Sequence, residues 1–574
     1  MNRDRGAGIS DAAMLALIGL ALGLLLALWL WGGIAGAVFG RGWPRVRFSA
    51  LLEVVVRLPG RLAHPAQAWP ASARGELPGP AGFYGALGLL AAAAACTSAL
   101  AARTGLWASM RGRRDGARWA GGGELRRLRG GPGWRRMAGR TGRQHAQRLA
   151  LGSYRGRLLH AEERHALVAF GPPQSGKSAS LAVPALLEWD GPAVASSIKT
   201  DLLASTLARR RSLGSVFVFD PFGLAGTASQ TWSPLRGART WDGALEVAWR
   251  LAAAGELDQR GVEGGDFWAI AAEQRLAPLL FTAAATDSTM EDVVRWTYGQ
   301  GSRELYETVS RLTGSARDDE ELQGAYAAYD ALRAFESQAD RTRSSIEATA
   351  QALLRGYRFT RVLRSARSSE IDPDRLLDQR ATLYLIGDAK ASKLLRPIFL
   401  ALVSEIVDRA YERATLAGGR LERPLLLCLD EAGNVAPLPN LAQIASTAPS
   451  HNIQLVSIFH DLAQARSRYG GQAETVVNSH RARMLLPGVA DLDTLRYFAG
   501  LVGEEESRET TRTFGAGGTS RTSGRRRRPL VAPEALRQLR QGQALLLYGS
   551  LPPAVLRLRM WFADRRLRRL AGAS

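Results

Sequence analysis

The stretch from Ala166 to Ser178 limits what this chain can become more than any other. An apolar run ends in Gly171; Pro172, Pro173, Gln174 and Ser175 follow, then Gly176, Lys177 and Ser178. The spacing G-x-x-x-x-G-K-S is that of a phosphate-binding loop between a buried strand and a helix. Such a loop turns backbone N–H groups inward around an anion, and glycine lets the backbone approach it. The next helix, predicted over Ala179 to Glu188, points its positive end at the same place. Lys177 then reaches the β- and γ-phosphates of a nucleotide, and Ser178 offers a hydroxyl to Mg2+. The chain has only four lysines, Lys177, Lys199, Lys390 and Lys393, in a sequence where arginine fills every other strongly basic position. A lysine where the motif requires one is therefore no accident of composition. Residues Gly171 to Ser178 form the predicted nucleotide-binding segment, with ATP and Mg2+ as the expected ligands.

Short apolar runs bounded by turn signals recur at 193–197, 215–219, 382–386, 425–429, 454–459, 483–486 and 544–548. Separated by helical patterns, they predict an α/β fold with a parallel sheet. Residues 236–340 are instead rich in Ala, Leu and Glu at helical spacing. They predict an all-α domain inserted into a nucleotide-binding domain made of 151–235 and 341–574. The run Leu425 to Leu429 ends in Asp430 and Glu431. A buried strand ending in acids presents them at the carboxyl edge of the sheet, where ligands bind. Asp430 is the expected Mg2+ holder, and Glu431 the base that orients and polarises the attacking water. The two cysteines and seven histidines show neither a disulfide framework nor metal-ligand spacing.

Ala12 to Phe39 and Gly82 to Ala102 are uncharged and apolar, each longer than the roughly 20 residues a bilayer-spanning helix needs. Residues 1–110 are therefore expected to be a membrane anchor with an outer loop at 40–81. In that loop, Phe48 to Leu58 is an apolar piece suited to a membrane or protein surface, and its Pro-rich tail is expected to be irregular. Arginines crowd 103–148, within and ahead of a basic juxtamembrane linker at 111–150, expected to be flexible and to neutralise lipid headgroups. That bias places both chain ends and the motor in the cytoplasm. The net charge of +22 favours polyanionic partners, nucleic acid or anionic membrane.

Taken together, the phosphate loop, Val183 to Leu187, Ile198 to Asp201, Phe219 to Pro221, Trp232 to Leu235, Leu425 to Glu431, Ile458 to Gly470 and Leu486 to Asp491 resemble the TraG/TraD-type coupling proteins of conjugation and type IV secretion. The likeness covers about residues 151–498. It implies a RecA-like P-loop NTPase domain with an all-α insertion, assembled as a homo-hexamer at the cell membrane. It also implies an ATPase that delivers DNA, or relaxase-bound DNA, to type IV secretion channel proteins. Two departures stand out. Related sequences usually carry glutamine as a γ-phosphate sensor where this chain has His460, and a neutral imidazole can still donate there. Many relatives carry an acidic tail, whereas the last stretch of this sequence carries Arg565, Arg566, Arg568 and Arg569.

Arg525 to Arg528 lies in a Gly/Ser/Thr-rich segment, 508–529, expected to be poorly structured and either solvated or in contact with a DNA backbone. Arg481 and Arg483 are candidates for the arginine finger of a ring ATPase. Two other functions fit parts of the pattern: an FtsK-like double-stranded DNA translocase, and an ATP-binding membrane receptor for secreted proteins. The first normally has more spans, a long linker and a winged-helix module, none of which is apparent. The intact Lys177, Asp430 and Glu431 speak against a receptor that does not hydrolyse ATP.

Overall fold

The apolar runs near the amino end are helices in the computed structural model, which describes residues 11–104, 117–129, 148–259, 265–515 and 518–572. The chain divides into two units, 1–115 and 116–574. In the first, Asp11–Ile34 is α-helical and continues through a π turn, Ala35–Phe39, and Pro80–Thr104 is the second long helix. Both are long and apolar enough to cross a membrane. The segment between them is more ordered than its prolines suggest. Leu51–Arg57 is a helix whose Leu51 and Val54 are buried, and the tail winds through short 3-10 turns at Pro59–Arg61, Pro65–Ala68 and Ala71–Ala73. The order has an aromatic cause. Trp69 is buried against Trp31 and Phe83, with ring centroids 5.9 and 4.9 Å away, and Trp31 Nε1 donates to the Phe83 carbonyl at 2.7 Å. A Cβ on Gly32 would lie 2.6 Å from Trp69 Nε1, so glycine there makes the room.

The second unit is built on an 11-stranded sheet. Its strands are β1 (Ala150–Tyr154), β2 (Arg157–His160), β3 (Leu167–Phe170), β4 (Ala193–Ser197), β5 (Val216–Phe219), β6 (Thr382–Ile386), β7 (Leu425–Leu429), β8 (Ile453–Phe459) and β9 (Ala482–Leu485). After a separate ribbon, β10 (Glu504–Gly515) and β11 (Gly518–Pro529), come β12 (Gln543–Tyr548) and β13 (Ala554–Arg557). The order is β2-β1-β13-β12-β9-β3-β8-β7-β4-β6-β5. From β9 to β5 every pairing is parallel, and from β2 to β9 every pairing is antiparallel. The parallel strands are apolar on both faces because both faces are covered. Val168 and Phe170 of β3 pack into one core and Leu167 and Ala169 into the other; β7 divides in the same way.

Between Phe219 and Thr382 the elements described are all helical, from Trp241–Gln259 to Pro373–Asp378. The helical run thus extends past the 340 expected from sequence. Its last helix starts on a local signal, Asp372 capping the N–H groups of Asp374 and Arg375 with Pro373 in the first turn, where a missing N–H costs nothing.

Two further expectations are corrected. Residues 117–129 of the basic linker are not a free tether: Ala120, Leu125 and Leu128 are buried in the core beneath β1 and β2, and the Ala120 N–H donates to the Pro553 carbonyl at 2.8 Å. Three spaced apolar residues suffice to dock a segment whose arginines stay at the surface. The remaining linker positions, 105–116 and 130–147, lie outside the described residues. The segment 508–529 is not irregular either. Residues 518–529 pair in register with 504–515 as a β-ribbon, from Glu504↔Pro529 to Gly515↔Gly518. Its strands have almost no apolar residues, so the periodicity that betrays a half-buried strand is missing, while cross-strand Glu–Arg pairs supply the attraction.

Arg210, on the helix Asp201–Leu213, ties the sheet to the end of the phosphate-loop helix. It is fully buried, and its guanidinium donates to Thr382 Oγ1, the Trp189 carbonyl and the Gly191 carbonyl, each at 2.6 Å. Burial pushes its pKa down to about 10, a cost that these bonds offset. Arg210→Ala should lower unfolding free energy by about 2–4 kcal/mol, since it orphans several buried acceptors. Arg210→Lys should recover only part of this, lacking the fork that reaches three acceptors. Denaturant unfolding of the two variants checks both values.

Candidate nucleotide-binding site

The sheet order assembles the site. β8 lies between β3 and β7, so the residue after β8 falls between the phosphate loop and the acids. That residue is His460. The ladder continues past the strand ends: Gly171 N donates to the Phe459 carbonyl at 3.1 Å and Ala432 N to the Ile458 carbonyl at 2.9 Å.

The loop itself follows from its glycines. A Cβ on Gly171 would meet Ser175 Oγ at 2.5 Å and Leu486 Cβ at 3.0 Å. Gln174 and Gly176 both adopt left-handed backbone, φ +66 and +88. Pro172 accepts from Ser175 N at 3.2 Å, closing the turn, while Pro173 and Gln174 face solvent. After the loop the chain makes a π turn over Ser178–Ala182 and an α-helix over Val183–Glu188.

Lys177 is buried, and its ammonium donates to the Gly171 carbonyl at 2.7 Å and to His460 Nδ1 at 2.9 Å, with Glu431 Oε1 at 3.7 Å. Burial pulls its pKa down and the nearby carboxylates oppose this. Because Lys177 has only protons to give, Nδ1 of His460 accepts, and the imidazole proton belongs on Nε2. Nε2 is 2.9 Å from Glu431 Oε2, so the histidine relays a hydrogen bond from the lysine to the glutamate.

Ser178 Oγ donates to Asp430 Oδ2 at 2.6 Å. Burial raises the Asp430 pKa to about 6, against the Ser178 hydrogen bond. Its other oxygen, Oδ1, is buried without a partner, as is Ser175 Oγ in the loop. A desolvated carboxylate with one orphaned oxygen beside a serine hydroxyl suits a hard divalent cation that keeps some of its waters. Glu431 differs. Burial works against its charge, but the His460 hydrogen bond and the Lys177 ammonium hold its carboxyl below the usual range. Its φ is +70, a left-handed conformation costing a non-glycine residue about 1–2 kcal/mol. Asn434 Nδ2 secures it by donating to Oε2 at 2.9 Å.

The residues expected to hold the nucleotide and metal and to serve as base and sensor, Gly171 to Ser178, Asp430, Glu431 and His460, therefore lie in one place. Arg481 and Arg483 do not. Arg481 precedes β9, in which Arg483 lies, and both line a cavity of about 570 Å3 with Arg164 and Asn478 toward the opposite edge of the sheet from Lys177. Several neighbours escaped sequence reasoning. Gln464 accepts from the His460 backbone N–H at 2.8 Å, and Trp561 N donates to the Ala179 carbonyl at 3.0 Å. Met560 covers the loop, its Cε 2.7 Å from where a Cβ on Gly176 would be. Asn434, three residues after Glu431, had a local signal; Met560 had none.

A family model described as "Type IV secretory system Conjugative DNA transfer" matches residues 123–572. The chain belongs to this conjugative DNA transfer family. Among curated relatives of this family member, Conjugal transfer protein TraG of Escherichia coli is 25% identical over 406 residues, 66% of this chain and 62% of that protein. Protein VirD4 of Rhizobium rhizogenes is 23% identical over 479 residues, 79% of this chain and 66% of that protein. The chain thus spans somewhat less than two thirds of these relatives' lengths. The solved structure of the bacterial conjugative coupling protein TrwB, without its first 70 residues, shares the fold: TM-score 0.56, 18% identity, 78% of this chain and 93% of that one. The TraG-type resemblance and the α/β fold with an all-α insertion, both expected from the motifs, stand.

Gly176→Ala should weaken nucleotide binding at least tenfold, because its φ of +88 strains any side chain. Adding Met560→Ala should not restore it, since backbone strain rather than the flexible methionine sets the loss. Titration with a fluorescent ATP analogue measures both variants.

Proposed function

We propose that this family member is a membrane-anchored ATPase that couples hydrolysis to recruitment and movement of DNA, bare or relaxase-bound, into a type IV secretion channel. One observation carries the reading: Lys177, Ser178, Asp430, Glu431 and His460, drawn from three adjacent strand ends, converge in one buried site. TrwB has been solved with the ATP analogue ADPNP and with ADP and Mg2+, which supports the same ligands here. In this reading the backbone from Gly171 to Ser178 holds the phosphates, and Ser178 and Asp430 hold Mg2+, which neutralises phosphate charge when bound. Lys177 orients the terminal phosphate, leaving the Gly171 carbonyl to do so. Glu431, kept ionised, takes a proton from the attacking water. His460, between Lys177 and Glu431, transmits phosphate occupancy to the base and to the following helix, Leu462–Tyr469, through Gln464.

A ring is the natural assembly for such a motor, and we place it as a homo-hexamer. In such a ring Arg481 and Arg483, away from their own chain's Lys177, are the candidates to serve a neighbour's site in a head-to-tail contact. The two apolar helices anchor the ring in the cell membrane, with 40–81 outside and the motor in the cytoplasm.

Lys177→Ala should abolish ATP turnover. Glu431→Gln should retain ATP binding and lose about 10²–10⁴-fold in rate, the usual worth of general-base help. His460→Gln should keep DNA-stimulated turnover, and His460→Ala should uncouple turnover from DNA. Steady-state ATPase assays with and without DNA decide; a loss under tenfold in Glu431→Gln removes it as the base, and wild-type behaviour in both His460 variants removes the relay.

Topology has its own test. In a cysteine-free background, Ser49→Cys should react in intact cells with a reagent that cannot cross the membrane, and Ser337→Cys should not. Reaction at position 337 would overturn the orientation.

A further inference from the structure

The β10–β11 ribbon has two unlike faces, and the difference points to what it touches. Among the described residues it joins no strand of the main sheet. Its base is fixed: the Ala117 N–H donates to the Glu504 carbonyl at 2.6 Å, the Leu530 N–H to the Gly503 carbonyl at 2.9 Å, and Leu530 and Val531 pack on the core. From there it runs through twelve paired positions, about 40 Å at the usual rise of a strand, and Arg525 to Pro529 are exposed. An isolated hairpin with no apolar face is marginal in water, so the ribbon gains little for the fold that carries it.

Directly paired residues share a face, and successive pairs alternate. One face takes Glu505↔Arg528, Ser507↔Arg526, Glu509↔Gly524, Thr511↔Thr522 and Thr513↔Ser520. By position this face carries two glutamates and two arginines, and Arg528 is 2.8 Å from Glu505. The other face takes Glu506↔Arg527, Arg508↔Arg525 and Arg512↔Arg521, with Phe514↔Thr519 near the tip. It holds five arginines against two glutamates, Glu504 and Glu506, both at the base. Arginine stands directly opposite arginine at two positions, an arrangement that destabilises a ribbon on its own. Arg525 has Glu506 at 3.7 Å, and its side chain is 72% exposed. A polyanion laid along this face would meet five arginine positions on one side of the ribbon and offset the like charge that the register places together.

We propose that the Arg508/Arg512/Arg521/Arg525/Arg527 face of the ribbon is a rail for the DNA sugar-phosphate backbone, and that the opposite face is not. This rests on the DNA-motor reading above and adds to it a contact surface with one working side. Recognition by this rail is indifferent to base sequence, because phosphates carry no sequence information.

The test uses the full-length protein in detergent and labelled 30-nucleotide DNA, single-stranded and duplex, across a salt series. Arg525→Ser with Arg527→Ser is compared with Arg526→Ser with Arg528→Ser; each pair removes two positive charges from the same run of four. The first pair should weaken binding several-fold at 0.1 M salt and flatten the log–log salt slope by about 1.4 for single strands or 1.8 for duplex, two phosphate contacts' worth. The second pair should leave the slope unchanged, although it breaks the Arg528–Glu505 pair and is the harsher test of folding. Equal losses in both pairs would reduce the ribbon to undirected charge. A loss confined to the second pair would mean damage to the ribbon, and either result overturns the rail. So would wild-type DNA binding by the first pair together with weakened binding to vesicles of anionic lipid, or with a change in oligomeric mass. If the wild-type protein itself shows no salt-sensitive DNA binding, the DNA-motor reading fails; if it does and both pairs match it, only the rail fails.

Discussion

A buried ammonium has to be satisfied, and the way Lys177 is satisfied organises this site. Its partners are a carbonyl of its own loop, an imidazole from the neighbouring strand and a carboxylate from the strand beyond. That set exists only because β8 separates β3 from β7. The parallel register, Phe170 beside Phe459 and Leu429 beside Ser457, holds the three strand ends level. Rigidity behind them comes from strands buried on both faces and from Arg210, whose three short hydrogen bonds fix the far end of the phosphate-loop helix. The local strain at Glu431 is tolerable because Asn434, His460 and the Ala432 backbone bond each restrain the same turn.

The two acids show how burial divides labour. Asp430 and Glu431 are neighbours in sequence, yet their pKa values are driven in opposite directions. Asp430 has lost water and has one weak donor, so its charge calls for a cation. Glu431 has a lysine and a histidine beside it, so it stays ionised and available. The left-handed turn at Glu431 makes this possible by sending consecutive side chains to different surroundings.

What could be read from the chain alone followed from locality. The phosphate loop and the acid-ended strand are contiguous segments whose chemistry depends on spacing, so both were visible, as were the two uncharged helices. His460 was visible only as a departure from a family pattern; its place between Lys177 and Glu431 depends on strand order, which no local spacing encodes. Met560 closes over Gly176 from the far end of the chain and left no trace. The ribbon was misread for a physical reason: pattern reading looks for a buried apolar face, and this ribbon has none. Residues 117–129 were misread because arginines hide three buried apolar side chains. In each case the error lay where charge, rather than burial, dominates the composition.

In the proposed mechanism the Lys177–His460–Glu431 chain reports the presence of a terminal phosphate to the base. A structure determined with a non-hydrolysable ATP analogue and Mg2+ tests this most directly. The expected result is Lys177 Nζ on the terminal phosphate, its bond to the Gly171 carbonyl broken, its 2.9 Å contact with His460 parted, and His460 still bonded to Glu431. A bound nucleotide with the Lys177–His460 contact unchanged, and His460 touching neither phosphate nor Glu431, would contradict it.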